Sequence, residues 1–209
     1  MKRISALIAL LLGAPGVLPA QAAVRVTPSL GAFQPMLPVV SVADGRNPDV
    51  ELESAPAVGL ELGVAPRRTP WVQLYGGLTY TTPRLYLSGA MESQPVNGTS
   101  TRATLLIPTA GVVLSPTLRG VPVRPTLRLG AGVKSYTFDL AEQRDRVTDL
   151  TGDVGLGFTT GRPGPVSFTA EARWLPSRFD ARNLPIRATG GRGQDQNDWM
   201  FQLGMRLNP

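Results

Sequence analysis

Val166-Ser167-Phe168-Thr169-Ala170-Glu171-Ala172-Arg173-Trp174 alternates without a break. Val166, Phe168, Ala170, Ala172 and Trp174 fall on one face, and Ser167, Thr169, Glu171 and Arg173 on the other. A period of two over nine residues means a β-strand with one apolar and one polar face. The same pattern recurs along the chain. Val24, Val26, Leu30 and Ala32 share a face. Val58, Leu60, Leu62 and Val64 share another against Gly59, Glu61 and Gly63. Val72, Leu74, Leu78 and Tyr80 form a third, and Leu127, Leu129, Ala131 and Val133 a further one against Arg128, Gly130, Gly132 and Lys134. Leu150, Val154, Leu156 and Phe158 oppose Thr151, Asp153, Gly155 and Gly157, and Trp199 to Leu207 ends the series. One segment, about Arg102 to Leu114, is irregular: Leu105-Leu106-Ile107-Pro108 blurs the alternation and predicts a bulge or kink. The count is eight strands. It becomes ten if the first long connection holds a hairpin around Leu37 to Val42.

In front of the strands stand Lys2-Arg3, an apolar run from Ile4 to Leu12, and Ala20-Gln21-Ala22 as a cleavage site. That layout predicts a secretory signal over residues 1–22 and a mature β domain over 23–209. The apolar run is too short to cross a bilayer as a helix, and Pro15 and Pro19 interrupt it. Without Lys2 and Arg3 the chain has 19 basic and 15 acidic residues, a net charge of +4. The basic residues are scattered, which argues against a nucleic-acid partner.

The connections between strands alternate in length. Gln34–Ser54, Glu92–Ser100, Asp139–Val147 and Pro176–Asn197 are long; Pro66–Pro70, Ser115–Pro122 and Gly161–Pro165 are short. That asymmetry, with an even count, predicts an all-β, antiparallel, up-and-down transmembrane β-barrel with long loops outside and short turns in the periplasm. The polar faces agree, because they combine glycines with long charged side chains. In a narrow eight-stranded lumen, glycines would let opposite charges meet. Trp174, Trp199 and Tyr80 fall at the loop-side rim, and Phe158 and Phe168 at the turn-side rim, as interfacial aromatics do.

These residues resemble the small outer-membrane β-barrel proteins, the eight-stranded group that includes the OmpA-type transmembrane domain and the OmpX/Ail type. Leu129-Gly130-Ala131-Gly132-Val133 and Val154-Gly155-Leu156-Gly157-Phe158 look like that group's glycine-rich strands. Gln202-Leu203-Gly204-Met205-Arg206-Leu207-Asn208-Pro209 is similar to its C-terminal assembly signal, with Pro209 where an aromatic is usual. The resemblance implies a monomer in the outer membrane of a Gram-negative envelope. It also implies contact with outer-membrane lipid and lipopolysaccharide, and with the barrel-assembly machinery through the last strand.

The chain contains no His and no Cys. This removes imidazole- and thiol-based nucleophile arrangements and the usual transition-metal sites. Small outer-membrane barrels that are enzymes depend on histidine, so no enzyme and no cofactor is expected. Gly130-Ala131-Gly132-Val133-Lys134-Ser135 lacks the Gly directly before Lys that a phosphate loop needs. Asp139, Glu142, Asp145 and Asp149 have calcium-ligand chemistry, but Arg144 and Arg146 lie among them, so a solvated loop is expected.

The expected lumen network is Arg25, Glu61, Arg124, Arg128, Lys134, Asp153, Glu171, Arg173 and Arg206. It reads either as a salt-bridged plug or as a narrow, anion-preferring pore. In the last long loop, Arg178, Arg182, Arg187 and Arg192 are expected to contact lipopolysaccharide phosphates or a protein partner. The main reading is thus a non-enzymatic scaffold with a role in membrane integrity or surface interaction. The alternative from another class is a soluble exported lipocalin-like barrel with a small apolar ligand inside.

Overall fold

The structure is a computed structural model that describes residues 22–37, 49–66, 68–88, 94–95, 102–118, 120–140, 143–160, 165–179 and 194–207. Of the expected signal segment, residues 1–22, residues 1–21 lie outside the described residues, and β1 begins at Ala22. In chain order the strands are β1 (Ala22–Gln34), β2 (Asp49–Leu52), β3 (Ala55–Pro66), β4 (Val72–Thr81), β5 (Leu85–Ser88), β6 (Gln94–Pro95), β7 (Ala103–Leu114), β8 (Val123–Leu140), β9 (Gln143–Thr160), β10 (Val166–Phe179) and β11 (Gln194–Leu207).

Eight strands close a barrel in the order β1-β11-β10-β9-β8-β7-β4-β3, with β1 returning to β3 from Ala22↔Pro66 to Phe33↔Ala55. Every ladder is antiparallel. The closed barrel therefore has no free edge along its girth. The three short strands β2, β5 and β6 form a separate sheet at the loop-side end. Eight is the barrel count; residues 38–42, which a ten-stranded count required, lie outside the described residues.

Side-chain phase follows the alternation read from the sequence, but the burial is inverted relative to a soluble protein. Leu30, Leu74, Leu156 and Leu203 point outward with 60–69% of their surface exposed, whereas Arg128, Lys134, Asp153 and Arg173 point inward with at most 4% exposed. Exposed leucines around a belt and buried charges at its axis fit a hydrocarbon exterior. Trp174 and Trp199 face each other across the β10–β11 ladder at the loop-side rim of this belt. Phe158 and Phe168 lie at the turn-side ends of β9 and β10, also facing outward.

Two local expectations are corrected. The segment Asp139–Val147 is not a loop over most of its length: β8 and β9 continue as an unbroken ladder to Leu140↔Gln143, so these residues build a long ribbon. Nor is there a bulge in β7. Leu106↔Ser135 and Thr109↔Gly132 share one register, so no residue is inserted around Pro108. The alternation is blurred for another reason: Leu105 and Ile107 point into the barrel, fully buried, while Leu106 and Pro108 point out. Both faces of this strand segment are apolar because the lumen itself is apolar there.

Candidate functional site

The middle of the lumen holds an ion network built from side chains of all eight barrel strands. Arg128 of β8 is its hub. One terminal nitrogen donates to Glu61 of β3 at 2.5 Å and to Glu171 of β10 at 2.8 Å; its other terminal nitrogen lies 3.9 Å from Asp153 of β9. The Arg128 guanidinium also sits 4.2 Å from the ring centroid of Tyr75, a cation–π contact. Arg173 grips Asp153 with two parallel bonds of 2.9 and 2.7 Å and donates further to Gln202 and Thr109. That fork geometry is particular to arginine and makes the pair stronger than a single contact. The Tyr75 hydroxyl donates to the same aspartate at 2.6 Å. Gln73 donates to Glu61 at 3.2 Å and accepts from Arg25 at 2.9 Å, so the chain of bonds reaches β1.

Glycines make this crossing possible. A Cβ on Gly130 would stand 2.2 Å from the Tyr75 hydroxyl and block its path to Asp153. A Cβ on Gly155 would press at 3.2 Å on both Arg128 and Arg173. The cavity left beside the network measures about 30 Å³ and is bordered by Thr27, Glu61, Arg128, Glu171, Gln202 and Arg206. That is room for about two waters.

Toward the loops the lumen changes character. Phe33, Ala57, Ala103, Leu105, Ile107, Tyr136, Val147, Leu175 and Met200 form an apolar core inside the barrel. Leu52 of β2 and Leu85 of β5 join that core, so the small sheet caps it. One ion pair is embedded beside it. Lys134 donates to Asp198 at 2.7 Å, to Ser177 at 2.9 Å and to the Leu175 carbonyl at 2.6 Å, which uses all three ammonium protons. Tyr136 donates to Gln196 at 2.8 Å.

Of the nine residues expected in the lumen network, all point inward, and six are joined: Arg25, Glu61, Arg128, Asp153, Glu171 and Arg173. Lys134 belongs to the separate loop-half pair with Asp198. Arg124 and Arg206 stand at the turn-side end with no ion pair among the described residues. Sequence reasoning missed Gln73, Tyr75, Gln202 and Asp198. Asp198 continues the inward phase of Gln202, Gly204 and Arg206, a signal present in the parity of the strand. Of the four arginines expected in the last long loop, Arg178 lies instead on β10, because the β10–β11 ladder continues to Phe179↔Gln194; it is exposed and 4.0 Å from its cross-strand partner Asp195, a weak surface contact. Arg182, Arg187 and Arg192 lie outside the described residues. Among the described residues no group of acidic side chains has metal-site geometry; of the acidic run Asp139, Glu142, Asp145 and Asp149, Glu142 lies outside them.

No protein-family model and no curated protein sequence matches the chain. Solved structures do. Neisserial surface protein A superposes with a TM-score of 0.58 at 14% identity, over 90% of this chain and 99% of that one. The outer membrane protein OprG from Pseudomonas aeruginosa gives 0.56 at 14% identity, over 89% and 95%. At such identities the likeness concerns the fold. Closure in eight strands, a leucine-rich exterior, a charged interior and this shared architecture together give the chain the fold of a small outer-membrane β-barrel.

Proposed function

We propose that the protein is a closed, non-enzymatic scaffold that serves membrane integrity or surface interaction through the parts it raises above the membrane. The observation that carries this reading is the filling of the lumen. An ion network crosses its middle, an apolar core occupies its loop half, and the cavity beside the network measures about 30 Å³. A hydrated ion needs a continuous wet path, which a desolvated salt-bridge layer backed by an apolar core opposes. A lipocalin-like carrier would need a ligand cavity roughly ten times larger or more, mostly apolar and open. Its outside would also be polar. Lipopolysaccharide phosphates are the partner we assign to the basic last loop and to Arg178 of β10, and the C-terminal strand β11 is the segment we assign to assembly.

Planar-bilayer recording tests the plug. The expected result is a silent bilayer or rare, small openings; large, stable, anion-selective channels would overturn the reading. The loop assignment is tested separately, by replacing Arg178, Arg182, Arg187 and Arg192 with Ser. Weakened lipopolysaccharide association is expected, and unchanged binding would remove that part.

A further inference from the structure

The turn-side end of the lumen differs from everything above it. Among the described residues, 22–28, 62–66, 68–74, 113–118, 120–127, 158–160, 165–169 and 204–207 supply this end of the barrel and contain four arginines, Arg25, Arg68, Arg124 and Arg206, and no Asp or Glu. Three of those arginines, Arg25, Arg124 and Arg206, point inward from β1, β8 and β11 and lie within electrostatic reach of one another. In the network above, the three carboxylates Glu61, Asp153 and Glu171 are held by Arg128 and Arg173, and Arg25 reaches Glu61 only through Gln73. With Arg124 and Arg206, five arginines share these three carboxylates, and among the described residues neither Arg124 nor Arg206 has an ion pair.

Arg206 is 5% exposed, and its Nε has no hydrogen-bond partner among the described residues. Glu61 and Glu171 act on it across the lumen without forming an ion pair, and a buried guanidinium N–H left without a partner is costly. Around it the side-chain groups left without partners are donors: the hydroxyls of Thr27, Thr126, Thr159 and Ser167 and the amide nitrogen of Gln202. Ser167 stands directly across the ladder from Arg206, and Thr159 directly across from Arg124. Waters can satisfy hydroxyls, but they do not cancel the repulsion among three cations. An anion does both.

We propose that the turn-side end of the lumen is a binding site for a small oxyanion, a phosphate or carboxylate group, held by Arg124 and Arg206 within a ring of Thr and Ser hydroxyls. Arg206 and Thr27 border the small cavity that Glu61 and Glu171 also border, and Arg128 holds those two carboxylates, so the anion sits on the turn side of Arg128. The site faces the periplasm and is independent of the plug: an occupied site leaves the lumen closed. Its ligand arrives dissolved, because the barrel wall separates it from lipid.

The test uses the refolded chain in maltoside micelles, which carry no phosphate. Inorganic phosphate is titrated at constant ionic strength while the arginine Nε–H NMR signals are followed. Saturable shifts are expected at Arg206 and Arg124, with Arg173 unmoved because Asp153 already holds it. Arg206→Gln should weaken binding at least tenfold as read at Arg124, and Arg124→Gln should do the same as read at Arg206. Each variant is first shown to fold by its heat-dependent gel mobility. A parallel acetate titration separates the two ligand classes: a matching response supports a carboxylate site, and a much weaker one a phosphate site. Shifts that do not saturate, or that match those of the exposed Arg68, would mean screening only and would overturn the proposal. No shift at all would do the same.

Discussion

The two halves of the lumen solve the same packing problem with opposite chemistry. In the loop half, Phe33, Leu105, Ile107 and Met200 fill the barrel as they would fill a globular core. In the middle and turn half, Arg128, Glu61, Glu171, Asp153 and Arg173 fill it with charge. The apolar half gains from contact and tolerates change in proportion to the volume lost. The charged half is all-or-none: each member is affordable only while its partners are present, because a buried ion without its counter-ion bears the full desolvation cost. A barrel can thus be stable and specific at once, with cohesion concentrated at one end and register concentrated in the other.

The sharpest way to break this contrast is Arg128→Met. It strands Glu61 and Glu171 together, and a loss of about 3–5 kcal/mol is expected in urea unfolding from lipid vesicles. Adding Glu61→Gln and Glu171→Gln should return much of that loss; failure to do so would mean the network is not a unit. Ile107→Ala probes the other half. It should cost about 3 kcal/mol by the same assay, through the cavity it opens, with no rescue by charge changes elsewhere. Lys134 and Asp198 test the boundary between the halves. Lys134→Met alone should destabilise by several times more than the pair Lys134→Met with Asp198→Leu, which leaves apolar groups in an apolar setting and should stay within about 1 kcal/mol of the parent. The smallest effect expected is that of salt. Raising ionic strength tenfold should move the unfolding midpoint little, since a buried network is poorly screened; a large shift would place the pairs in water.

Much of this was legible in the residues. The period of two in Val166–Trp174 fixed both faces of β10, and the pairing of glycines with charges marked the lumen side of β8 and β9. The inward phase of all nine expected network residues follows from parity alone. What parity does not supply is height along the axis. Arg128 and Lys134 share a face of β8, yet one joins the central network and the other a separate pair six residues away, because strand tilt and stagger decide which partners stand level. The apolar loop half was misread for a related reason. Leu105-Leu106-Ile107-Pro108 lacks alternation when one face is assumed polar, whereas a strand apolar on both faces between lipid and core reads the same way. Leu52 and Leu85 lie in segments with too few residues to show any period, so their place over the core had no signal. Asp139–Val147 was rich in charge and was read as a loop; its cross-strand ladder, from Leu140↔Gln143 downward, is a long-range property that composition does not carry.

The β8–β9 ribbon has a consequence for reach. Past the Val154↔Trp174 pair at the aromatic rim, β9 runs on through Gln143. At about 3.3 Å per residue and a tilt of roughly 40°, those residues raise the tip by roughly 25 Å. β7 accompanies this ribbon as far as Ala103↔Phe138, so a particle approaching the cell meets a hydrogen-bonded wall well clear of the membrane, with the last β8–β9 pairs standing alone at its crest. Such a wall is already ordered, so capturing it forfeits less entropy than capturing a coil of equal length.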